Sequence, residues 1–408
     1  MTSFPVLDIL VFAVYVWVGW TRWRAQSRTP VERLSRKGDA LPQPPPRVSV
    51  IVPARNEEAN VERCVRSLLA QDYPDLEIIT VNDCSEDRTG AILTRLAAEN
   101  SRLQVIHGAP PPPGWMGKAH ALVQGYRRAT GDWILFTDAD TEHAPSLLSR
   151  VLATVLAGPH SVVTVMGKQQ APSLGVGLAH LAVFAYIFLV TDRRKQVDPR
   201  SPQCLVSGQF LLITREAYET LGTHEAVRGY SSTDVSLGYL AKLNGFIPLW
   251  LRAEEALTTT MYRSFPEAFQ GWSRSLVNGI WTALGRGAGS LALILLTLGY
   301  TTFWLLPWGM LVSGLLLDHP LRLGFGILDH LAVLSVLKLM THHWMAAVAS
   351  WLLMPSACVL FVGMSVGGLA RAGVRGGTLW KGRVVQTEKS LPPWKPKPIY
   401  RRSSGGPG

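Results

Sequence analysis

Cysteine is scarce in this sequence and shows no pattern. There are four in 408 residues (Cys64, Cys84, Cys204 and Cys358), with neither the spacing of a zinc site nor that of a disulfide framework, as suits a reducing compartment. Two nucleotide signatures are also missing. The first strand-like run, Val48 to Val52, is not followed by G-x-G-x-x-G, and G-x-x-x-x-G-K-[ST] occurs nowhere, which disfavours dinucleotide dehydrogenases and P-loop enzymes. A basic face is lacking too, despite a formal charge of +11. Residues 21–40 hold six Lys/Arg against two acids, and residues 371–408 hold nine against one, so the rest of the chain is close to neutral. Nucleic-acid binding needs a basic surface on the folded domain, and none is evident.

Charge is absent altogether from two long tracts, Ala288 to Leu317 over 30 positions and Leu339 to Ala370 over 32. A hydrocarbon core of about 30 Å takes about 20 apolar helical residues, so each is long enough to span a bilayer. Residues 4–20 are apolar apart from Asp8. They have no positive leader or small-x-small cleavage site, and Arg22, Arg24 and Arg28 follow; this predicts a retained anchor rather than a signal peptide. Basic residues beside membrane spans follow the positive-inside rule and attract anionic headgroups.

The expected organisation is an anchor at 1–21, a basic and proline-rich linker at 22–46, a soluble domain at 47–285, two or three spans within 286–370, and a basic tail at 371–408. The tail is expected to lie in the cytoplasm and to be disordered after Arg402. Keeping domain and tail on one side requires an even number of C-terminal crossings; Asp329 and Lys338 interrupt the third candidate, 323–340. Ser173 to Val190 is apolar for 18 residues before a charged cluster and reads as a span, a core helix or an interfacial helix, the last being preferred.

Within the soluble domain the periodicity alternates. Val48–Val52, Leu76–Val81, Leu103–Ile106 and Trp133–Thr137 read as short buried strands. Between them, Val61, Cys64, Val65 and Leu68 repeat at helical spacing, Ile92, Leu93 and Leu96 do the same, and Lys118–Arg128 predicts a third helix. Strands alternating with helices predict a parallel sheet covered on both faces.

Three of these strands end in acid-bearing clusters: Pro53-Ala-Arg55-Asn-Glu57, Asn82-Asp83-Cys-Ser-Glu-Asp87 and Asp138-Ala-Asp140. In an open parallel sheet the carboxyl ends of strands line the ligand crevice, so the clusters are expected to converge. Any one of them reads equally well as turn and cap chemistry; three in succession do not. An acidic crevice repels phosphate unless a cation intervenes. Asp138 and Asp140, two apart, share a face of an extended segment and suit a hard cation such as Mg²⁺ or Mn²⁺ bridging to a diphosphate. Asp83 is placed to hydrogen-bond a base or ribose.

P-A-R-N-E-E, N-D-C-S-E-D and T-D-A-D-T in this order, with P-P-G-W-M-G-K-A-H-A-L from Pro112 to Leu122, resemble the inverting family 2 glycosyltransferases. The last of these segments is similar to the Gly-Trp-x-Gly-Lys segment of bacterial membrane-bound members related to hopanoid-associated and carotenoid glycosyltransferases, which also resemble ceramide glucosyltransferases. The resemblance implies an α/β GT-A fold, a nucleotide-sugar donor (a UDP-sugar), a divalent metal, a lipid acceptor, and a multi-pass inner-membrane enzyme with a cytoplasmic catalytic domain. It implies that Pro53, Arg55, Glu57 and Asp83 line the nucleotide pocket and that Lys118 lies near the donor phosphates. Asp138 and Asp140 match the D-x-D pair, and Gly208 and Gln209 lie close to the sugar.

The stretch Gly229-Tyr-Ser-Ser-Thr-Asp-Val matches the family's base-bearing segment, with Asp234 as the base and Thr233 in place of the usual Glu. A helix N-cap is the plainer reading of Asp234. Gln270-Gly-Trp272-Ser-Arg274 departs from the processive pattern Q-x-x-R-W, which implies a single transfer rather than a polymerase. Trp272 reads equally well as a membrane-interface anchor. A glycan polymerase and a non-catalytic sugar-nucleotide-binding subunit remain the alternatives.

Overall fold

The chain is described by a computed structural model that covers residues 6–28, 32–34, 41–375, 378–380, 383–385 and 391–400. Parts of the expected linker and tail, and the segment after Arg402, lie outside the described residues. In chain order the elements are α1 (Val6–Arg28), β1 (Glu32–Arg33), β2 (Val48–Ala54), α2 (Val61–Leu69), β3 (Leu76–Asn82), α3 (Thr89–Glu99), β4 (Leu103–His107), α4 (Gly117–Tyr126), β5 (Trp133–Phe136), β6 (Thr141–His143), α5 (Leu147–Leu156), β7 (Val162–Met166) and β8 (Lys168–Gln169). Then follow α6 (Leu174–Val190), α7 (Arg193–Val197), β9 (Leu211–Thr214), α8 (Arg215–Thr220), α9 (Thr233–Leu243), β10 (Leu249–Arg252), β11 (Leu257–Thr259) and four long helices: α10 (Phe265–Leu284), α11 (Arg286–Leu316), α12 (Pro320–Thr341) and α13 (Trp344–Arg375).

These elements form two units. One comprises Val31–Gln170, Lys195–Met261 and Leu379–Gly408; the other comprises Met1–Pro30, Ala171–Arg194 and Tyr262–Thr378. The span expected as one soluble domain, 47–285, is therefore divided, because α6 and α10 carry apolar surface that packs among the long helices.

The first unit is an α/β domain. Its eight-stranded sheet runs β1-β10-β7-β9-β5-β2-β3-β4, parallel throughout except for β9, which is antiparallel to both β5 and β7. The strands carry apolar runs because both faces are buried. On one face Val48, Val50, Ile78 and Leu135 join the core built with α2 and α5. On the other, Ile51, Ile79, Ile134 and Phe136 join the core built with α4, α8 and α9. Successive residues of one strand thus serve opposite cores, as period-two geometry requires. A three-stranded sheet, β6-β11-β8, follows the end of β5.

Residues 391–400 belong to this unit and have a defined place on it. The Lys397 N–H donates to Leu243 O at 2.8 Å and the Tyr400 N–H to Gly245 O at 3.0 Å. Tyr239 donates to Pro392 O at 2.7 Å, and the Trp394 indole donates to Arg200 O at 3.1 Å. The Tyr400 ring packs at a tilt against Phe246, with centroids 4.6 Å apart.

The second unit is helical. Four of its helices (α1, α11, α12 and α13) are long and apolar enough to cross a membrane. The Tyr15 hydroxyl of α1 donates to Phe303 O of α11 at 2.6 Å, and Asp8 of α1 faces Arg322 of α12 at 3.7 Å. Helix α6 starts at an N-cap, where Ser173 accepts from the Val176 N–H. It packs within the bundle, with Tyr186 5.1 Å from Phe361 of α13.

Candidate functional site

Strands β5, β2 and β3 are parallel neighbours, with Ala54 in register with Asn82 and Ile51 with Phe136, so their carboxyl ends open side by side. The turns after β2 and β3 are joined by reciprocal bonds. The Asn56 N–H donates to Ser85 Oγ at 3.1 Å, the Glu86 N–H donates to Asn56 Oδ1 at 2.9 Å, and the Asp83 N–H donates to Ala54 O at 2.8 Å. Asn56 and Cys84 both adopt positive φ, 50° and 51°, at the tips of these turns. Arg55 is 7% exposed; its guanidinium donates to Asp83 O at 2.8 Å and Cys84 O at 2.7 Å. It therefore shapes the loop that carries Asp83. Glu57 accepts from the Asn60 amide at 2.9 Å at the entrance to α2. Asp83 is buried.

The centre of the cleft is built from four segments. Pro53 is the last residue but one of β2, Lys118 the second residue of α4, Asp138 follows β5, and Asp234 sits in the first turn of α9; with Gly208 they line one pocket. Lys118 Nζ donates to Asp138 Oδ1 at 2.5 Å. The N-cap position of α9 is Ser232, so Asp234 is not the cap. Its Oδ2 accepts the Gly208 N–H at 2.8 Å, which turns the carboxylate toward the pair. Gly208 leaves the room these groups need: a Cβ there would lie 3.0 Å from Lys118 Nζ, 3.1 Å from Asp234 Oδ2 and 3.3 Å from Asp138 Oδ2.

Electrostatics follow the packing. Burial on its own would lower the Lys118 ammonium, but Asp138, Asp234 and Asp140 outweigh it and hold it above its ordinary value. Burial raises the Asp138 carboxyl; Lys118 opposes the rise while Asp234 and Glu57 add to it. Four acids and one lysine thus act on one another here, an excess of negative charge that added cation would offset.

Asp140 follows two residues after Asp138, where its carbonyl accepts the Thr260 N–H at 3.0 Å. Gln209 is held by Thr137, whose hydroxyl donates to its carbonyl at 2.6 Å, and by the Gln169 amide, which donates to its Oε1 at 2.8 Å. Among the described residues no three His, Cys, Asp or Glu side chains form a metal cage. Mg²⁺ and Mn²⁺ need none, because such ions are held by one or two carboxylates together with substrate phosphate and water. The hard oxygens of Asp138 and Asp140 fit that donor set.

Several residues in the cleft carry no sequence signal. His224 lines the pocket with its Nδ1 2.7 Å from the Tyr218 hydroxyl, and burial, with Lys118 adding to it, pushes its imidazole down to about 3. His143, beneath Thr137 at 3.2 Å, is likewise pushed down to about 3 by burial. Both lie in short segments with no periodicity to mark them as buried. Gln270, Trp272 and Arg274 belong to the helical unit, on α10. There the Trp272 ring is 7% exposed and packs edge-on against His180, Phe184 and Tyr262 at 5.9, 5.5 and 5.7 Å.

Comparison with known proteins agrees with this architecture. The family described as Glycosyl transferase family 2 matches residues 49–222. A beta-monoglucosyldiacylglycerol synthase from Synechocystis is 33% identical over 158 residues, covering 35% of this chain and 33% of that protein. A 4,4'-diaponeurosporenoate glycosyltransferase from Staphylococcus aureus is 26% identical over 242 residues, covering 57% of this chain and 61% of that protein. The chain thus spans less than two thirds of the length of these relatives. Among solved structures, a mannosyltransferase from Pyrobaculum calidifontis, in complex with GDP-Man and Mn²⁺, superposes with a TM-score of 0.52 at 18% identity, over 90% of this chain and 98% of that one; this likeness bears on the fold, which is GT-A. The family match covers the strands, turns and D-x-D segment described above, so residues 49–222 are similar to a glycosyl transferase family 2 domain.

Proposed function

We propose that this chain is a membrane-bound inverting glycosyltransferase that moves one sugar from a nucleotide-sugar donor, a UDP-sugar, to a hydroxyl or carboxyl group of a lipid. One observation carries the reading: the Gly208 N–H holds the Asp234 carboxylate beside the Lys118–Asp138 pair. A base and a phosphate-facing cation thereby share one cleft at the carboxyl ends of parallel strands.

In this mechanism Asp83 and the turn fixed by Arg55 bind the nucleoside, and Lys118 offsets charge on the donor phosphates. A divalent metal held by Asp138 and Asp140 would supply further charge neutralisation for the departing diphosphate. Asp234 takes the proton from the acceptor as its oxygen attacks the anomeric carbon from the face opposite the diphosphate. Gly208 fixes the orientation of that carboxylate before the acceptor arrives.

The lipid acceptor is supported by four helices of membrane-crossing length and by relatives named for lipid-linked products. A nucleotide-sugar donor is supported by the cleft chemistry and by the GDP-Man and Mn²⁺ bound to the solved neighbour; the choice of UDP comes from the sequence resemblance. An inner-membrane location with the α/β unit in the cytoplasm fits the flanking basic tracts. The test is to incubate the purified full chain in lipid vesicles with a panel of UDP- and GDP-sugars and a bacterial lipid extract. The reading predicts that a UDP-sugar is consumed and that one lipid gains the mass of a single hexose or hexosamine. Donor binding without turnover would instead identify a non-catalytic subunit, and ladders of added sugars would identify a polymerase.

A further inference from the structure

Lys118 and Asp234 stand on different segments, yet a contact at the rim of the cleft ties those segments together. The Met116 N–H donates to Arg228 O at 2.6 Å. The Arg228 guanidinium lies 5.8 Å over the Trp115 ring, and a Cβ at Gly229 would lie 3.7 Å from Gly114 O. The Trp115 ring also meets His120 of α4 edge-on at 5.4 Å. Lys118 lies three residues after Trp115, and Asp234 six after Arg228. Gly114, at φ 78°, lets the proline-rich chain turn sharply into this contact.

We infer that Trp115 and Arg228 are positioning residues: they latch the lysine that faces the donor phosphates to the loop that delivers the base. This inference rests on the proposed function. With the latch closed, the phosphate-facing ammonium and the base keep a fixed separation, on which in-line attack depends. With the latch open, each group remains in place on its own element but their mutual geometry loosens. The loss therefore falls on turnover rather than on donor affinity.

A double-mutant cycle on the full chain in vesicles tests this. Trp115→Ala and Arg228→Ala are each expected to lower kcat about tenfold, leaving the donor KM within about twofold and the melting temperature unchanged. The double variant is expected to lose no more than the worse single one. Trp115→Phe keeps a ring face for the cation and is expected to restore kcat to within about threefold of wild type. Losses that multiply in the double variant, or no loss in either single one, overturn the latch. A wild-type chain that transfers no sugar would instead overturn the proposed function itself.

The docked tail supports a second, independent inference. Residues 391–400 bond to α9, to the turn after it and to Arg200, all within the α/β unit. The geometry points to a tail on the same side of the membrane as the cleft. The chain between Met261 and residue 391 therefore makes an even number of complete crossings, although α11, α12 and α13 are each long enough to cross. Vesicles of known orientation carrying one epitope inserted beside Arg88, which is exposed, and another at the C-terminus test this with an impermeant antibody. Both epitopes should react in the same orientation; reaction in opposite orientations overturns the inference.

Discussion

Gly208 donates its N–H to Asp234 at 2.8 Å and, having no side chain, leaves open the space where Lys118, Asp138 and Asp234 meet. Gly208→Ala would put a methyl group 3.0–3.3 Å from three charged groups, so at least one must move. The neighbours must give by only a few tenths of an ångström, so transfer is expected to fall by up to about tenfold with donor binding changed far less, a full shift of about 1 Å in the base being worth about 10²-fold. Steady-state kinetics alongside nucleotide titration checks the split.

Arg55 braces the loop that carries Asp83, the residue proposed to meet the nucleoside. Arg55→Ala removes the guanidinium nitrogen that donates to both the Asp83 and Cys84 carbonyls, which is expected to destabilise the α/β unit by about 2–4 kcal/mol. Nucleotide affinity should drop with it. Lysine at this position is expected to rescue stability only in part, since its ammonium can donate to both carbonyls as Nη1 does but supplies no second nitrogen for Glu86. Thermal unfolding with and without UDP measures both effects.

Stability should fall on acidification. His143 and His224 are held at about 3 in the folded chain against an ordinary value near 6.5. Between those limits the unfolded chain binds more protons, so stability is lost as pH drops from about 6.5 toward 3. Each histidine contributes a slope of up to about 1.4 kcal/mol per pH unit. His224→Gln keeps a partner for Tyr218 and should reduce the slope by about one proton. Denaturation midpoints between pH 7 and pH 4.5 report the difference.

The metal proposal concentrates on Asp140. Asp140→Ala is expected to leave the fold intact and to abolish the Mn²⁺-dependent increase in nucleotide affinity. Titrating the nucleotide with and without Mn²⁺ checks this; an increase equal to that of the wild type would exclude Asp140 as a ligand.

The parallel half of the sheet was legible because its strands are buried on both faces and therefore read as apolar runs, as in Val48–Val52 and Leu76–Val81. The convergence of their polar ends follows from strand direction alone. Strand β9 was not legible: Leu211–Thr214 looks like any short apolar stretch, and its antiparallel insertion between β5 and β7 is set by tertiary packing. The Lys118–Asp138 pair, the turn of Asp234 toward Gly208 and the packing of His224 on Phe136 depend on contacts between residues 20, 26 and 88 positions apart, which no local period encodes. Arg55 was expected to line the nucleotide pocket, and its bonds to the Asp83 and Cys84 carbonyls are a bracing role that the sequence does not encode. Composition marked the tail only as basic, whereas Trp394 and Tyr400 fasten it to the α/β unit.

The most direct test of the central claim is sugar transfer by Asp234→Asn in vesicles, measured together with UDP-sugar binding. Asparagine keeps an oxygen to accept the Gly208 N–H but cannot take a proton at neutral pH. The account predicts transfer reduced by 10²-fold or more, with donor affinity within about threefold of wild type. Transfer at the wild-type rate would contradict it.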